Sequence, residues 1–250
     1  MTSTEIGHPA SSEPLRWTWW RIIWNFALTA IGYIGPQIAV LVIAIVMAVR
    51  RDPDFQIEEW VEKAGSNGLI LSIATIASAI VCIPLMRFLS GLAERHPWDF
   101  LAARRPMMKQ VLLACGAMAV FVAASDGSNH LLGRPVVPKF MIDAYQTARW
   151  PLLLFVAVAI AAPILEELFF RGMLFGVLRA RGWPVVLVSL VTSLVFALAH
   201  LQYDLHDMTF VLMMGLLMAG ARARSGSVIP GIAMHVLANT VGFIEVLSIR

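Results

Sequence analysis

Glu166, Glu167, Arg171, His200, His235 and Asn239 are polar side chains set in runs of apolar residues. An ionisable group inside such a run costs about 2.5–3.5 kcal/mol on membrane-insertion scales, so each one asks for a function. Helical spacing divides the work among them. Glu167 and Arg171 are four apart with the acid first, the favoured order for an ion pair on one helix face. Glu166 is turned about 100° from Glu167, and its own i+4 neighbour is Phe170, so nothing on its helix neutralises it. It is the carboxylate left for chemistry. Pro163, one turn earlier, removes an amide donor and is expected to kink the helix and free the carbonyl of Ala159. Phe196 and His200 are also four apart, which places a ring beneath the imidazole, and His235 and Asn239 project together from the last apolar run.

A free carboxylate, two imidazoles and an amide suit the activation of water. A desolvated carboxylate and an imidazole both exchange protons near neutral pH, so Glu166 can take a proton from water while a histidine polarises it. His235 and Asn239 are then placed to stabilise an oxyanion. Alternatively, Glu166, His200 and His235 form a ligand set for a divalent metal such as zinc, with water in the open position. Either version leads to amide hydrolysis inside a membrane.

The elements that must position these groups follow from composition. Hydrophobic residues make up 59% of the 250-residue chain and charged residues 14%, against about 45–50% and about 25% in soluble domains. Mean hydropathy is +0.76. A soluble protein of this composition would expose large apolar patches, and a disordered one needs the opposite bias. The class that remains is an all-α, polytopic transmembrane helix bundle. On a ruler of about 20 residues per crossing, spans fall near 22–49, 67–90, 108–126, 152–179, 184–203, 207–222 and 226–248, six to seven in all because 207–222 is short for a full crossing. Trp17, Trp19, Trp20, Trp24, Trp60, Trp98, Trp150 and Trp183 sit at the edges, where indole rings anchor.

Residues 1–21 form a polar tail without the features of a secretory signal peptide, so the first span is expected to be retained. With that tail in the cytoplasm, the larger share of Lys and Arg falls on the inner side, including Arg104, Arg105, Arg179, Arg181, Arg222 and Arg224. Taking the Arg179 to Pro184 turn as the inner edge, Glu166 lies roughly 20 Å in, His200 roughly 24 Å and His235 roughly 12 Å, compatible with one cavity in the cytoplasmic half to middle of the bilayer. The connection 127–149 is expected to hold a short interfacial helix within Val136 to Ala148. Net charge is +3, but the basic residues form no patch or stripe, so nucleic acid is not a partner. Membrane lipids are. Cys82 and Cys115 read as small buried hydrophobes; Met213, Met214 and Met218 read as packing. His206 and Asp207 read as solvated, and His8, His96 and His130 as tail or loop residues without partners.

Three segments resemble the motifs of one membrane family. Glu166-Glu167-Leu-Phe-Phe-Arg171 matches EExxxR, Phe196-Ala-Leu-Ala-His200 matches FxxxH, and His235-Val-Leu-Ala-Asn239 matches HxxxN of the CPBP family, which comprises type II CAAX prenyl endopeptidases and the bacterial bacteriocin-processing and Abi-type membrane proteins. The motifs stand in family order, and the resemblance covers roughly residues 150–245. It implies an intramembrane endopeptidase, glutamate-dependent or metal-assisted, acting on a membrane-embedded or lipid-anchored peptide in a bacterial inner membrane. By the same resemblance Glu166 and His200 activate water, His235 and Asn239 support the oxyanion or complete a metal site, and Glu167 and Arg171 are structural, with Phe196 beside them. Residues 150–250 would then be the CAAX-protease-like catalytic core and 22–149 the N-terminal spans. Two other functions fit a polar cluster in a bundle: a noncatalytic scaffold or immunity-type protein, and a proton-coupled transporter.

Overall fold

The structure, a computed structural model, describes residues 18–52, 56–92 and 96–249. Arg16, Trp17, Arg95 and His8 lie outside the described residues. The secondary structure is helical, with no strand among these residues: α1 (Trp19–Arg51), α2 (Ile57–Ala64), α3 (Gly68–Gly91), α4 (Pro97–Phe100), α5 (Met108–Leu131), α6 (Lys139–Gln146), α7 (Pro151–Ala180), α8 (Val185–Leu198), α9 (Leu205–Ser225) and α10 (Ile229–Ser248). Polar residues mark the starts as helix capping requires. Asn67 Oδ1 accepts from the N–H groups of Leu69 and Ile70 at 3.1 Å each, and Asp204 Oδ1 accepts from Asp207 N–H at 2.9 Å. Pro151 and Pro230 stand in the first turns of α7 and α10, where a missing amide costs nothing.

Five helices, α1, α3, α5, α7 and α10, are long and apolar enough to cross a bilayer. Apolar side chains such as Ile31, Ile38, Leu112, Val120 and Val186 stand exposed on them and on α8. Water would not tolerate this, but lipid does, and the protein is an integral membrane protein. α3 packs between α1 and α7, α5 lies against α9 and α10, and α8 lies against α9. The bundle has two polar rims. At one, Val228 N–H donates to Ala102 O (2.9 Å), Ser227 Oγ donates to Arg104 O (2.6 Å), and the Arg181 guanidinium covers the Trp19 ring at 4.5 Å. At the other, Arg134 pairs with Asp204, His206 Nε2 meets Asn129 Oδ1 at 2.9 Å, and Phe140 stands edge-on to Tyr203.

Three sequence expectations change here. The fifth span, expected over 184–203, ends as a helix at Leu198 and has 14 residues, so His200 sits in the turn beyond it. The sixth, expected to be short, is a 21-residue helix running between the two rims, about 31 Å long. His206, read as solvated, is held by Asn129. The short helix expected within Val136 to Ala148 is present as α6. Its neighbourhood holds Asp204, whose carboxyl the N–H of Asp207 and then Arg134 keep below the usual carboxylate range.

Candidate active site

α7 is where the backbone departs from α geometry. Two π-helical stretches, Val156–Ala161 and Leu168–Leu174, flank the segment that carries Pro163, Glu166 and Glu167. In the first, Ala162 N–H reaches back five residues to Ala157 O. The next bond in that register would run from residue 163 to Val158 O, and Pro163 has no N–H to make it. Val158 O is instead taken by Asn239 Nδ2 of α10 at 2.8 Å. The freed carbonyl is thus Val158, not Ala159 as expected from α spacing, because the π turn shifts the register by one residue. In the second stretch, Phe175 N–H bonds to Phe170 O and Gly172 O, passing over Arg171 O, and Arg222 Nε of α9 donates to that carbonyl at 3.0 Å. Each distortion is held by a side chain from a neighbouring helix. Asn239→Leu is expected to leave Val158 O unsatisfied and to cost about 1–3 kcal/mol, measured as a lower denaturation midpoint in detergent.

Behind this backbone lies a buried ion pair. Glu167 and Arg171 side chains are both 0% exposed, with Arg171 Nη1 2.6 Å from Glu167 Oε1. Arg171 Nη2 donates to Gly215 O of α9 at 3.0 Å. Phe196 of α8 is the common neighbour of all three motifs: its ring lies 4.5 Å under the Arg171 guanidinium, 4.7 Å from the His200 ring and 5.6 Å from the His235 ring. Cation–π attraction and edge-to-face ring contacts are strongest where water is absent, as here. The room is tight. A Cβ on Gly231 would stand 2.6 Å from Glu167 Oε2, and that carboxylate cannot swing away without breaking its bond to Arg171. Gly231→Ala is expected to destabilise by about 1–3 kcal/mol through overpacking and to lower any Glu166-dependent activity with it, read by thermal unfolding beside the assay.

Glu166 faces away from this pair. Its side chain keeps 18% exposure, and His235 Nε2 stands 3.9 Å from Oε2, while His235 Nδ1 is 3.5 Å from Glu167 Oε1. One imidazole therefore stands beside both glutamates, one of which Arg171 already neutralises. His200 Nδ1 lies 2.8 Å from Phe196 O, so with the proton on Nδ1 the other ring nitrogen is left with its lone pair. The ring is covered on its second side by Tyr203, stacked at 6.0 Å and 11°. Among the described residues, no three His, Cys, Asp or Glu side chains gather as ligands for one metal ion, so Glu166, His200 and His235 do not form that set in this arrangement.

Several residues in or near this region carry no motif. Tyr203 closes the turn after His200, its N–H donating to His200 O at 3.1 Å. Burial pushes its phenol up to about 12, with the charges of Glu166 and Asp207 adding to the effect, so it remains a hydrogen-bond donor at neutral pH. Arg222, read from sequence as an inner-side marker, is half-buried and holds the α7 backbone. Asp126 of α5 and Glu245 of α10 are neighbours, a second acidic pair within apolar helices; spacing along one helix does not reveal it because the two lie on different helices. Cys82 is buried against α1 and Cys115 partly so, both as free thiols.

The fold and the cluster together define a helical integral membrane protein with a glutamate–histidine centre at the junction of four helices. The family model for the type II CAAX prenyl endopeptidase, Rce1-like, matches residues 148–241, the stretch that supplies every one of these motif residues. An Escherichia coli relative, the "Uncharacterized 24.3 kDa protein", is 31% identical over 185 residues, covering 72% of this chain and 82% of the relative. The chain belongs to the Rce1-like family of type II CAAX prenyl endopeptidases. No solved structure matches it.

Proposed function

We propose that this protein is an intramembrane endopeptidase that hydrolyses a peptide bond of a membrane-embedded or lipid-anchored peptide, working in a bacterial inner membrane with its N-terminus in the cytoplasm. The observation that carries the reading is the inequality of the two glutamates: Arg171 claims Glu167, whereas Glu166 stays partly exposed with an imidazole 3.9 Å away. Glu166 takes a proton from water as the hydroxyl adds to the scissile carbonyl carbon. His200, fixed through Nδ1, polarises that water. His235 stands beside Glu166 to stabilise the oxyanion, and the proton held by Glu166 passes to the departing amine as the C–N bond breaks. Asn239 supports this region by holding Val158 O of the helix that presents Glu166.

The test is a comparison of peptide termini in membrane fractions of cells making the parent protein or Glu166→Gln. New termini present with the parent and absent with the variant are expected. Identical termini under inducing conditions would overturn the hydrolase reading.

A further inference from the structure

At the rim where α10 begins, two short segments are tied together through their backbones. Val228 N–H donates to Ala102 O at 2.9 Å, and Ser227 Oγ donates to Arg104 O at 2.6 Å. These bonds hold the connection between α4 and α5, which carries Arg104 and Arg105, against the end of α9, which carries Arg222 and Arg224. Arg104 and Arg222 are neighbours there. Like charges held together in this way repel unless an anion stands between them. The two segments, 97–109 and 219–231, contain five basic residues and one acid, Asp99. Asp99 pairs with Arg104 at 3.0 Å, but both side chains are exposed and water screens the pair. Arg222 meets no carboxylate among the described residues: its Nε is spent on Arg171 O, its plane lies over the Phe175 ring at 5.2 Å, and its terminal nitrogens have no protein acceptor.

We propose that this rim binds the headgroup of an anionic phospholipid, its phosphate held by Arg222 and Arg104 with Arg105 and Arg224 at the edges. None of the four is a motif residue, and occupancy does not depend on the hydrolase reading. Guanidinium groups suit a phosphodiester because two parallel N–H donors match two of its oxygens. The phosphate supplies the counter-charge that no side chain gives the half-buried Arg222. A lipid fits better than a free phosphate because the basic segment runs straight into apolar surface. Met107, Met108, Leu112 and Leu113 are exposed at the start of α5, where acyl chains hanging from the headgroup would lie. Basic clusters at a membrane edge collect anionic lipids by the same attraction. Binding there also bears on the centre, since Arg222 holds the carbonyl of Arg171 in the second π stretch of α7.

The experiment follows the thermal unfolding midpoint of the full-length protein in dodecyl maltoside. It is titrated with 1-palmitoyl-2-oleoyl phosphatidylglycerol, with phosphatidylcholine carrying the same chains, or with sodium phosphate at matched ionic strength. Phosphatidylglycerol is expected to raise the midpoint saturably, and the other two to leave it near its starting value. Arg104→Gln with Arg105→Gln is expected to raise the half-saturating phosphatidylglycerol at least about tenfold, whereas Arg50→Gln with Arg51→Gln, at the far end of α1, leaves it unchanged. The two pairs remove equal charge, so equal losses from both would mean a general surface attraction and overturn the site. An equal rise with phosphatidylcholine removes the anionic headgroup from the proposal, and a rise reproduced by sodium phosphate removes the lipid; either result overturns it. If the first double variant does not fold, Arg105→Gln with Arg224→Gln, both exposed, takes its place, read by native mass spectrometry. The parent is expected to retain phosphatidylglycerol over phosphatidylcholine from an equimolar mixture, and an undiminished preference in that variant would overturn the site.

Discussion

Glu166→Gln is expected to lower peptide cleavage by about 10²–10⁴-fold while leaving the protein inserted and as stable as the parent. Glutamine keeps the shape of the side chain and removes its capacity to accept a proton. Glu166 makes no ion pair with Arg171, and its contact with His235 is 3.9 Å, so no buried charge is orphaned by the change. His200→Ala should produce a loss of the same order. If the two act on one water, the double variant should be little worse than either single one, because groups that work as a unit are not additive. The measurement is kcat/KM on a peptide identified from the Glu166-dependent termini, beside thermal unfolding of each variant. Retention of more than about a tenth of the parent rate by Glu166→Gln would remove Glu166 from the role of base.

Arg171→Leu is expected to destabilise the protein by about 3–5 kcal/mol, the cost of leaving a buried carboxylate without its partner. The case is strong because both side chains are fully buried and Arg171 also serves Gly215 O and the Phe196 ring. Glu167→Leu combined with Arg171→Leu should recover most of the loss, since the buried charge disappears along with its partner. Denaturant unfolding in detergent separates these outcomes. A single variant within about 1 kcal/mol of the parent would show that the pair is not a structural brace. Activity in the double variant adds a second measurement. His235 Nδ1 stands 3.5 Å from Glu167, so a stable but slow double variant would mean that Glu167 also orients His235.

Most of this site is legible in the hydropathy runs and the i, i+4 pairs. A four-residue interval on a helix leaves little choice about which side chains share a face, and the Glu167–Arg171 contact follows directly, whereas His200 meets Phe196 from the turn just beyond α8. The freed carbonyl fell one residue from its expected position because π turns do not announce themselves in residue types. The register of α7 is decided by Asn239 and Arg222, which approach from other helices. Tyr203 escaped notice for a related reason. It follows His200 by three residues in a turn, where helical spacing says nothing, and only the short α8 places that turn against α6.

What the sequence determined alone is therefore the set of expensive residues and their local partners, since an ionisable group in an apolar run is costly wherever the helix goes. The tertiary structure decided how far each glutamate is buried, Glu167 fully and Glu166 only in part, and that one phenylalanine, Phe196, touches Arg171, His200 and His235 together. Those are properties of how helices α7, α8, α9 and α10 pack, and packing depends on contacts between residues far apart in the chain, which periodicity within any one helix cannot express.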